Sequence, residues 1–127
     1  MNDTLILVEK KKWYDMIASG EKKEEYREIT SYWVTRLLGV AELDPDGDIN
    51  DILRIKIPKG HRAIPRNIYQ RFHCGDLVPL PFRNVRFCYG YEKDRPETTM
   101  PIKGITIGKG NPAWGAEPVK DYIIIKI

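Results

Sequence analysis

Charged residues crowd the stretch from Gly20 to Arg27, which reads Gly-Glu-Lys-Lys-Glu-Glu-Tyr-Arg. If this stretch forms a strand, alternate side chains point to opposite faces, so Glu25 and Arg27 share one face. A buried face would require the two to pair, because an unpaired buried ion costs several kcal/mol. The pair can be purely structural, on an edge strand beside solvent. Alternatively, the basic groups bind an anion and the carboxylate accepts a hydrogen bond or a proton.

Lys22 belongs to the same cluster, but a regular strand would place it on the face opposite to Glu25 and Arg27. For the three side chains to share a cleft, Lys22 must lie in the turn after Gly20, or a bulge must redirect it. We predict the turn position.

The elements before this stretch must position it. Thr4 to Glu9 is β-branched and aliphatic and predicts a buried first strand. Lys10 to Ser19 predicts a helix whose apolar residues Trp13, Met16 and Ile17 have the i, i+3, i+4 spacing of one face. We interpret that face as core, and the glycine that follows the helix as its left-handed end.

The rest of the chain predicts more strands than helices. A second helix, capped at its N-terminus by Thr30 or Ser31, is expected through Leu38, and a helical turn is expected at Arg66 to Phe72. Strands are expected at Ile52 to Ile57, Asn84 to Tyr91, Thr98 to Gly108 and Lys120 to Ile127. The acidic stretch Glu42 to Asp51 predicts a surface loop. The total is five or six strands and two or three helices in one domain spanning residues 1–127. This order favours an α+β fold with a mostly antiparallel, closed or open sheet.

Charge is unevenly distributed along the chain, although the net charge is only +3. Glu42 to Asp51 contains five acids and no base, whereas Ile52 to Gly75, the basic segment, contains six Lys and Arg, both histidines and no acid. A basic segment suits an anionic partner such as nucleic acid, and a solvated face is the common alternative.

Several function classes are excluded by composition. The apolar runs are far shorter than the roughly 20 residues of a membrane span, and the N-terminus lacks a basic region before its apolar run. Two cysteines, Cys74 and Cys88, make no disulfide framework. The paired short spacings of zinc sites are missing, and Asp44 to Ile55 fails the calcium-loop pattern. We therefore expect a cytoplasmic protein with no membrane partner, no metal and no cofactor.

The spacing of Gly20, Lys22, Glu25 and Arg27 resembles the GxKxxExR signature of the ASCH domain family. Other stretches are similar to that family as well: Trp13 to Ile17, Tyr32-Trp33, Gly75-Asp76, Tyr89 to Tyr91 and Gly108 to Trp114. The resemblance implies a PUA-like, mostly antiparallel β-barrel with two or three flanking helices. It also implies RNA binding in a cleft lined by the signature residues.

On this interpretation the chain binds RNA or a nucleotide-like ligand through Lys22, Glu25 and Arg27. Arg27 would clamp a phosphate or stack on a base, and Glu25 would orient it or accept from a base edge. Three residues of the basic segment would extend the contact to backbone phosphates: Lys59, Arg62 and Arg66. Tyr91 and Trp114 could be stacking platforms, although aromatic residues near glycines more commonly pack a barrel end.

A second hypothesis is hydrolysis of a modified nucleoside or of RNA. One branch of the ASCH family hydrolyses the acetyl amide of N4-acetylcytidine with the signature lysine, a hydroxyl residue and a later glutamate, and a threonine there occupies the position of Glu25. A carboxylate cannot replace a hydroxyl nucleophile, so catalysis here would need Glu25 as general base, with Lys22 stabilising the oxyanion. Glu92 is a candidate second carboxylate. A third hypothesis is a protein-interaction module in which the charge cluster is structural.

Overall fold

The computed structural model of the chain describes residues 3–127. In chain order the strands are β1 (Thr4–Glu9), β2 (Glu24–Arg27), β3 (Leu38–Leu43), β4 (Ile49–Arg54), β5 (Val78–Pro79), β6 (Asn84–Tyr89), β7 (Glu97–Pro101), β8 (Gly104–Lys109) and β9 (Asp121–Lys126). The helices are α1 (Lys11–Ala18), α2 (Ser31–Leu37) and α3 (Pro65–His73), and a 3₁₀ turn spans Pro112–Trp114.

These strands form three three-stranded sheets with the orders β1-β6-β7, β2-β9-β8 and β4-β3-β5. Every pairing is antiparallel except that of β1 with β6. The predicted α+β class and the mostly antiparallel pairing are therefore confirmed. Within the described part of the chain the strands do not close into a barrel.

The structure contains more strands than predicted, and two differences have local causes. The expected strand Thr98 to Gly108 is two strands, because Pro101, which has no N–H to donate, ends β7 before β8 begins. The expected acidic loop is largely the β3–β4 hairpin. In its turn the Asp44 carboxylate accepts hydrogen bonds from the backbone N–H groups of Asp46 at 2.9 Å and Asp48 at 3.0 Å.

The main core is built from the sheets β1-β6-β7 and β2-β9-β8 and from the inner faces of the helices. Its most buried members include Leu7 of β1, Phe87 of β6, Ile123 and Ile125 of β9, Ile17 of α1, and Val34 and Leu37 of α2. Glu25 and Arg27 pair in register with Ile125 and Ile123, so they lie on the side of their sheet that faces this core. The charged pair thus occupies the rim of the core. Within residues 3–127, none of the helices α1, α2 and α3 could span a membrane, since the longest has nine residues.

Candidate functional site

Lys22 is positioned by the end of α1. Gly20 has a φ of +84°, the left-handed conformation predicted for it, and its N–H donates to the carbonyl of Ile17 at 3.0 Å. Two residues later the N–H of Lys22 donates to the carbonyl of Met16 at 2.9 Å. These bonds fold the chain back under the helix, so Lys22 lies in the connection before β2, as predicted.

The ammonium group of Lys22 is buried, with 2% of the residue exposed. Its Nζ lies 3.3 Å from both carboxylate oxygens of Glu25. It also lies 4.7 Å from the ring centroid of Trp13 and 5.7 Å from that of Tyr26. An aromatic face attracts a cation, and a carboxylate offsets its lost hydration, so the burial of this charge is compensated.

Glu25 and Arg27 extend from the same face of β2, as predicted, and form an ion pair. Arg27 Nη1 lies 3.0 Å from Glu25 Oε1, and the backbone N–H of Tyr26 donates to the same oxygen at 2.9 Å. The Arg27 guanidinium also lies 5.1 Å from the ring centroid of Trp33. Glu25 therefore holds two cations, Lys22 on one side and Arg27 on the other.

Glu9 is the fourth member of the cluster, although it was predicted only as the last residue of the first strand. Glu9 is 8% exposed, and its Oε1 accepts a hydrogen bond from Arg27 Nη2 at 3.0 Å. The sequence signal that could have revealed it is a carboxylate placed in phase with the buried side chains Leu5 and Leu7 of β1. A glutamate on the buried face of a strand needs a partner.

The two carboxyl groups have opposite pKa shifts. Burial, followed by a hydrogen bond and repulsion from Glu25, raises the pKa of Glu9 to about 8, although Arg27 opposes this change. Burial also acts to raise the pKa of Glu25, but the hydrogen bond with Glu9, together with Arg27 and Lys22, outweighs it and lowers that pKa. At neutral pH Glu9 is mainly a neutral acid that donates, and Glu25 is an anion that accepts.

The four side chains line a cleft of about 610 Å³, which we call the charged cleft. Its wall is aromatic: Trp13, Tyr26, Tyr32, Trp33, Tyr91, Trp114 and Tyr122. All three tryptophans of the chain therefore line one cleft. The prediction that the α1 face of Trp13, Met16 and Ile17 is core holds for Ile17, which is buried in the main core, whereas Trp13 is half-buried and lines the charged cleft. Tyr91 and Trp114 line the cleft, whereas Glu92 is not among its residues.

The basic segment lies beside the charged cleft and does not line it. Arg66 lines a second cavity of about 640 Å³, and Arg62 lines a third of about 460 Å³. Lys59 is exposed and lines none of the three. The structure thus unites Lys22, Glu25 and Arg27, sets Arg62 and Arg66 in neighbouring cavities, and leaves Lys59 apart.

Metal ligands do not cluster in the part of the chain that the structure describes: residues 3–127 contain no group of three or more His, Cys, Asp or Glu side chains placed to hold a metal ion. Comparison of the chain with protein-family models, with curated proteins and with solved structures gave no match.

Proposed function

We propose that this chain is an ASCH domain of PUA-like fold that binds single-stranded RNA by accepting one unpaired base into the charged cleft. One observation carries the proposal: the three tryptophans line the same cleft as Lys22, Glu25 and Arg27. Unpaired bases are recognised by stacking on aromatic rings and by hydrogen bonds to their edges, and the cleft offers both kinds of group.

The aromatic rings of the cleft differ in their availability for stacking. Trp13 and Trp33 already lie against the cations of Lys22 and Arg27. Trp114 and Tyr91 make no ring–ring or cation–π contact within residues 3–127, and Tyr91 is 86% exposed. We assign base stacking to these two rings.

Hydrogen bonding to the base edge falls to the two carboxyl groups. Because the pKa of Glu9 is raised to about 8 and that of Glu25 is lowered, the pair offers a donor beside an acceptor at neutral pH. Two basic side chains, Lys22 and Arg27, therefore face one carboxylate anion, and the cluster carries an excess of positive charge. That charge favours the approach of a phosphate.

A second candidate function is hydrolysis of an acylated cytidine. The observation in its favour is that the pKa of Glu9 is raised while that of the neighbouring Glu25 is lowered. Glu9 has a pKa near the working pH, as a general acid or base should. Glu25 would have to take a proton from the attacking water while the amide C–N bond breaks and the leaving amine is protonated. Its lowered pKa makes it a weak base. Binding is therefore the better-supported function.

The test of binding uses the tryptophans as reporters. Single-stranded RNA hexamers of each base are titrated into the protein while tryptophan fluorescence is recorded. We expect saturable quenching that weakens as salt is raised. Trp114→Ala should weaken binding about 5-fold or more, since stacking contributes about 1–3 kcal/mol per base, and Trp13 and Trp33 remain as reporters.

The matched control is Tyr89→Ala, because Tyr89 is 39% exposed and lies outside the charged cleft. Absence of quenching with all four hexamers, or quenching that is insensitive to salt, would refute RNA binding and favour the protein-interaction module. Release of acetate from N4-acetylcytidine that disappears in Lys22→Ala would favour the hydrolase. We also propose that the protein is cytoplasmic, because Cys74 and Cys88 are free thiols and thiols stay reduced in the cytosol.

A further inference from the structure

The second cavity adjoins the charged cleft. Glu28 and Thr30, in the connection between β2 and α2, line both. The opposite side of the second cavity is formed by the first turns of α3, including Arg66 and Tyr69. The two spaces, of about 610 and 640 Å³, therefore lie on either side of one short connection.

Arg66 is the available cation of the second cavity. The other basic group there, Lys120, forms ion pairs with Glu28 and Glu117. Arg66 is exposed and has no ion-pair or hydrogen-bonding partner for its side chain within residues 3–127. It also lies in the first turn of α3, directly after Pro65, where a cation is unfavourable for the helix dipole. Its position therefore does not serve the stability of α3.

Tyr69 supplies an aromatic surface three residues further along α3. The residue is 38% exposed, and its ring centroid lies 4.3 Å from that of His73. The His73 ring is fixed in turn, because its Nε2 lies 2.9 Å from the carbonyl oxygen of Ile107. Tyr69 is thus backed by an immobilised ring and presents a partly exposed, pre-ordered face, which lowers the entropic cost of stacking.

We propose that the second cavity binds the nucleotide adjacent to the one in the charged cleft, with Arg66 contacting the connecting phosphate and Tyr69 stacking on the second base. This inference rests on the proposed function and extends it: the ligand is a chain of at least two nucleotides, and a free nucleoside fills only half of the surface. A guanidinium suits a phosphodiester, and an aromatic ring accepts any base.

The experiment compares nucleosides with the corresponding dinucleoside monophosphates, such as cytidine with CpC, by tryptophan quenching. The wild-type protein should bind the dinucleotides about 5-fold or more tightly than the nucleosides. Tyr69→Ala and Arg66→Ala should each reduce this gain and leave nucleoside affinity unchanged. Tyr69→Phe keeps the ring and should retain the gain.

Matched controls are Tyr89→Ala, with 39% exposure against 38% for Tyr69, and Arg83→Ala, an exposed arginine that lines none of the three cavities. Both should keep the gain. Two results would overturn the second site alone. One is nucleoside binding with no gain in affinity from the second nucleotide, and the other is a gain that persists in Tyr69→Ala and Arg66→Ala. Failure of nucleosides and dinucleotides alike would overturn the proposed function with it.

Discussion

The guanidinium of Arg27 lies 3.0 Å from the Glu9 carboxyl group, and this contact joins two sheets. Glu9 ends β1 in the sheet β1-β6-β7, and Arg27 ends β2 in the sheet β2-β9-β8. Through its other terminal nitrogen Arg27 also holds Glu25 at 3.0 Å. The charge cluster therefore stabilises the contact between the two sheets and is also a candidate binding site. These two roles can be separated by experiment.

Glu25→Gln should strongly destabilise the fold. The substitution removes the negative charge between Lys22 and Arg27. The buried Lys22 ammonium then loses its counter-ion, and Arg27, whose side chain is 13% exposed, keeps only the Glu9 carboxyl group as an acidic partner. Breaking a buried ion pair on one side costs about 3–5 kcal/mol. The free energy of unfolding from urea denaturation at neutral pH measures the effect. Glu117→Gln, whose side chain is 72% exposed, should change it by less than about 0.5 kcal/mol. Equal stability of the two variants would contradict the structural role.

Stability should decline as pH rises through the range set by Glu9. The folded state holds this proton up to about pH 8, whereas the unfolded chain loses it near 4.5. The folded state binds more protons between these values, so the contribution is complete below 4.5 and is lost progressively towards 8. The slope approaches about 1.4 kcal/mol per pH unit for one proton.

Urea denaturation of wild type and Glu9→Gln across this pH range isolates the effect, because the glutamine cannot titrate. The free energy of unfolding of the wild type minus that of Glu9→Gln should decrease as pH rises. Glu25 contributes in the opposite sense, since its lowered pKa stabilises the fold above its unfolded value and the contribution is lost as pH falls further. A flat difference between wild type and Glu9→Gln would show that Glu9 titrates normally.

Gly20→Ala should cost about 1 kcal/mol and loosen Lys22. The residue has a φ of +84°, and a Cβ there meets nothing within 4 Å, so the penalty is backbone strain and not collision. Gly104→Ala is the control, because its site is equally open and its φ lies outside the left-handed range. Thermal denaturation of both variants tests this. Comparable stability of the two would show that the turn adapts without strain.

Arg62→Ala should reduce the salt dependence of RNA binding. Arg62 lines the third cavity and has no ion-pair partner within residues 3–127, so its charge is available to a phosphate. The slope of log K against log salt is negative, and its magnitude should fall by about 0.7, the value for one phosphate of a single strand. Arg83→Ala should keep the wild-type slope. An unchanged slope in Arg62→Ala would place the RNA path away from the third cavity.

Local chemistry made several features predictable from the sequence. β1 has the predicted bounds. Thr30 caps α2 as one of the two predicted residues, its hydroxyl accepting from the N–H of Trp33 at 3.3 Å. α3 begins at Pro65 and ends at His73, around the helical turn predicted at residues 66–72. Capping groups, prolines and glycines act over a few residues, so their effects can be read without the fold.

Pairing between strands that are distant in the chain was harder to predict from the sequence. α2 was predicted to run through Leu38 and to stop at the following glycine, but Leu38 is already extended and begins β3. The reason lies in tertiary packing. A Cβ on Gly39 would come within 2.6 Å of the Leu53 carbonyl oxygen on β4 and of the Ile52 side chain, so this glycine permits close strand pairing. A glycine after a helical pattern signals a helix end equally well.

The sequence by itself determined that Glu25 and Arg27 share a face and that Lys22 can join them from the turn after Gly20, because strand periodicity and glycine geometry are local. Only the tertiary structure decided that Glu9 completes the cluster, since a contact across eighteen residues depends on how two sheets meet. It also decided that Trp13, Trp33 and Trp114 share the charged cleft. An aromatic side chain packs equally well in a core or on a site wall, so its role follows from its neighbours in space.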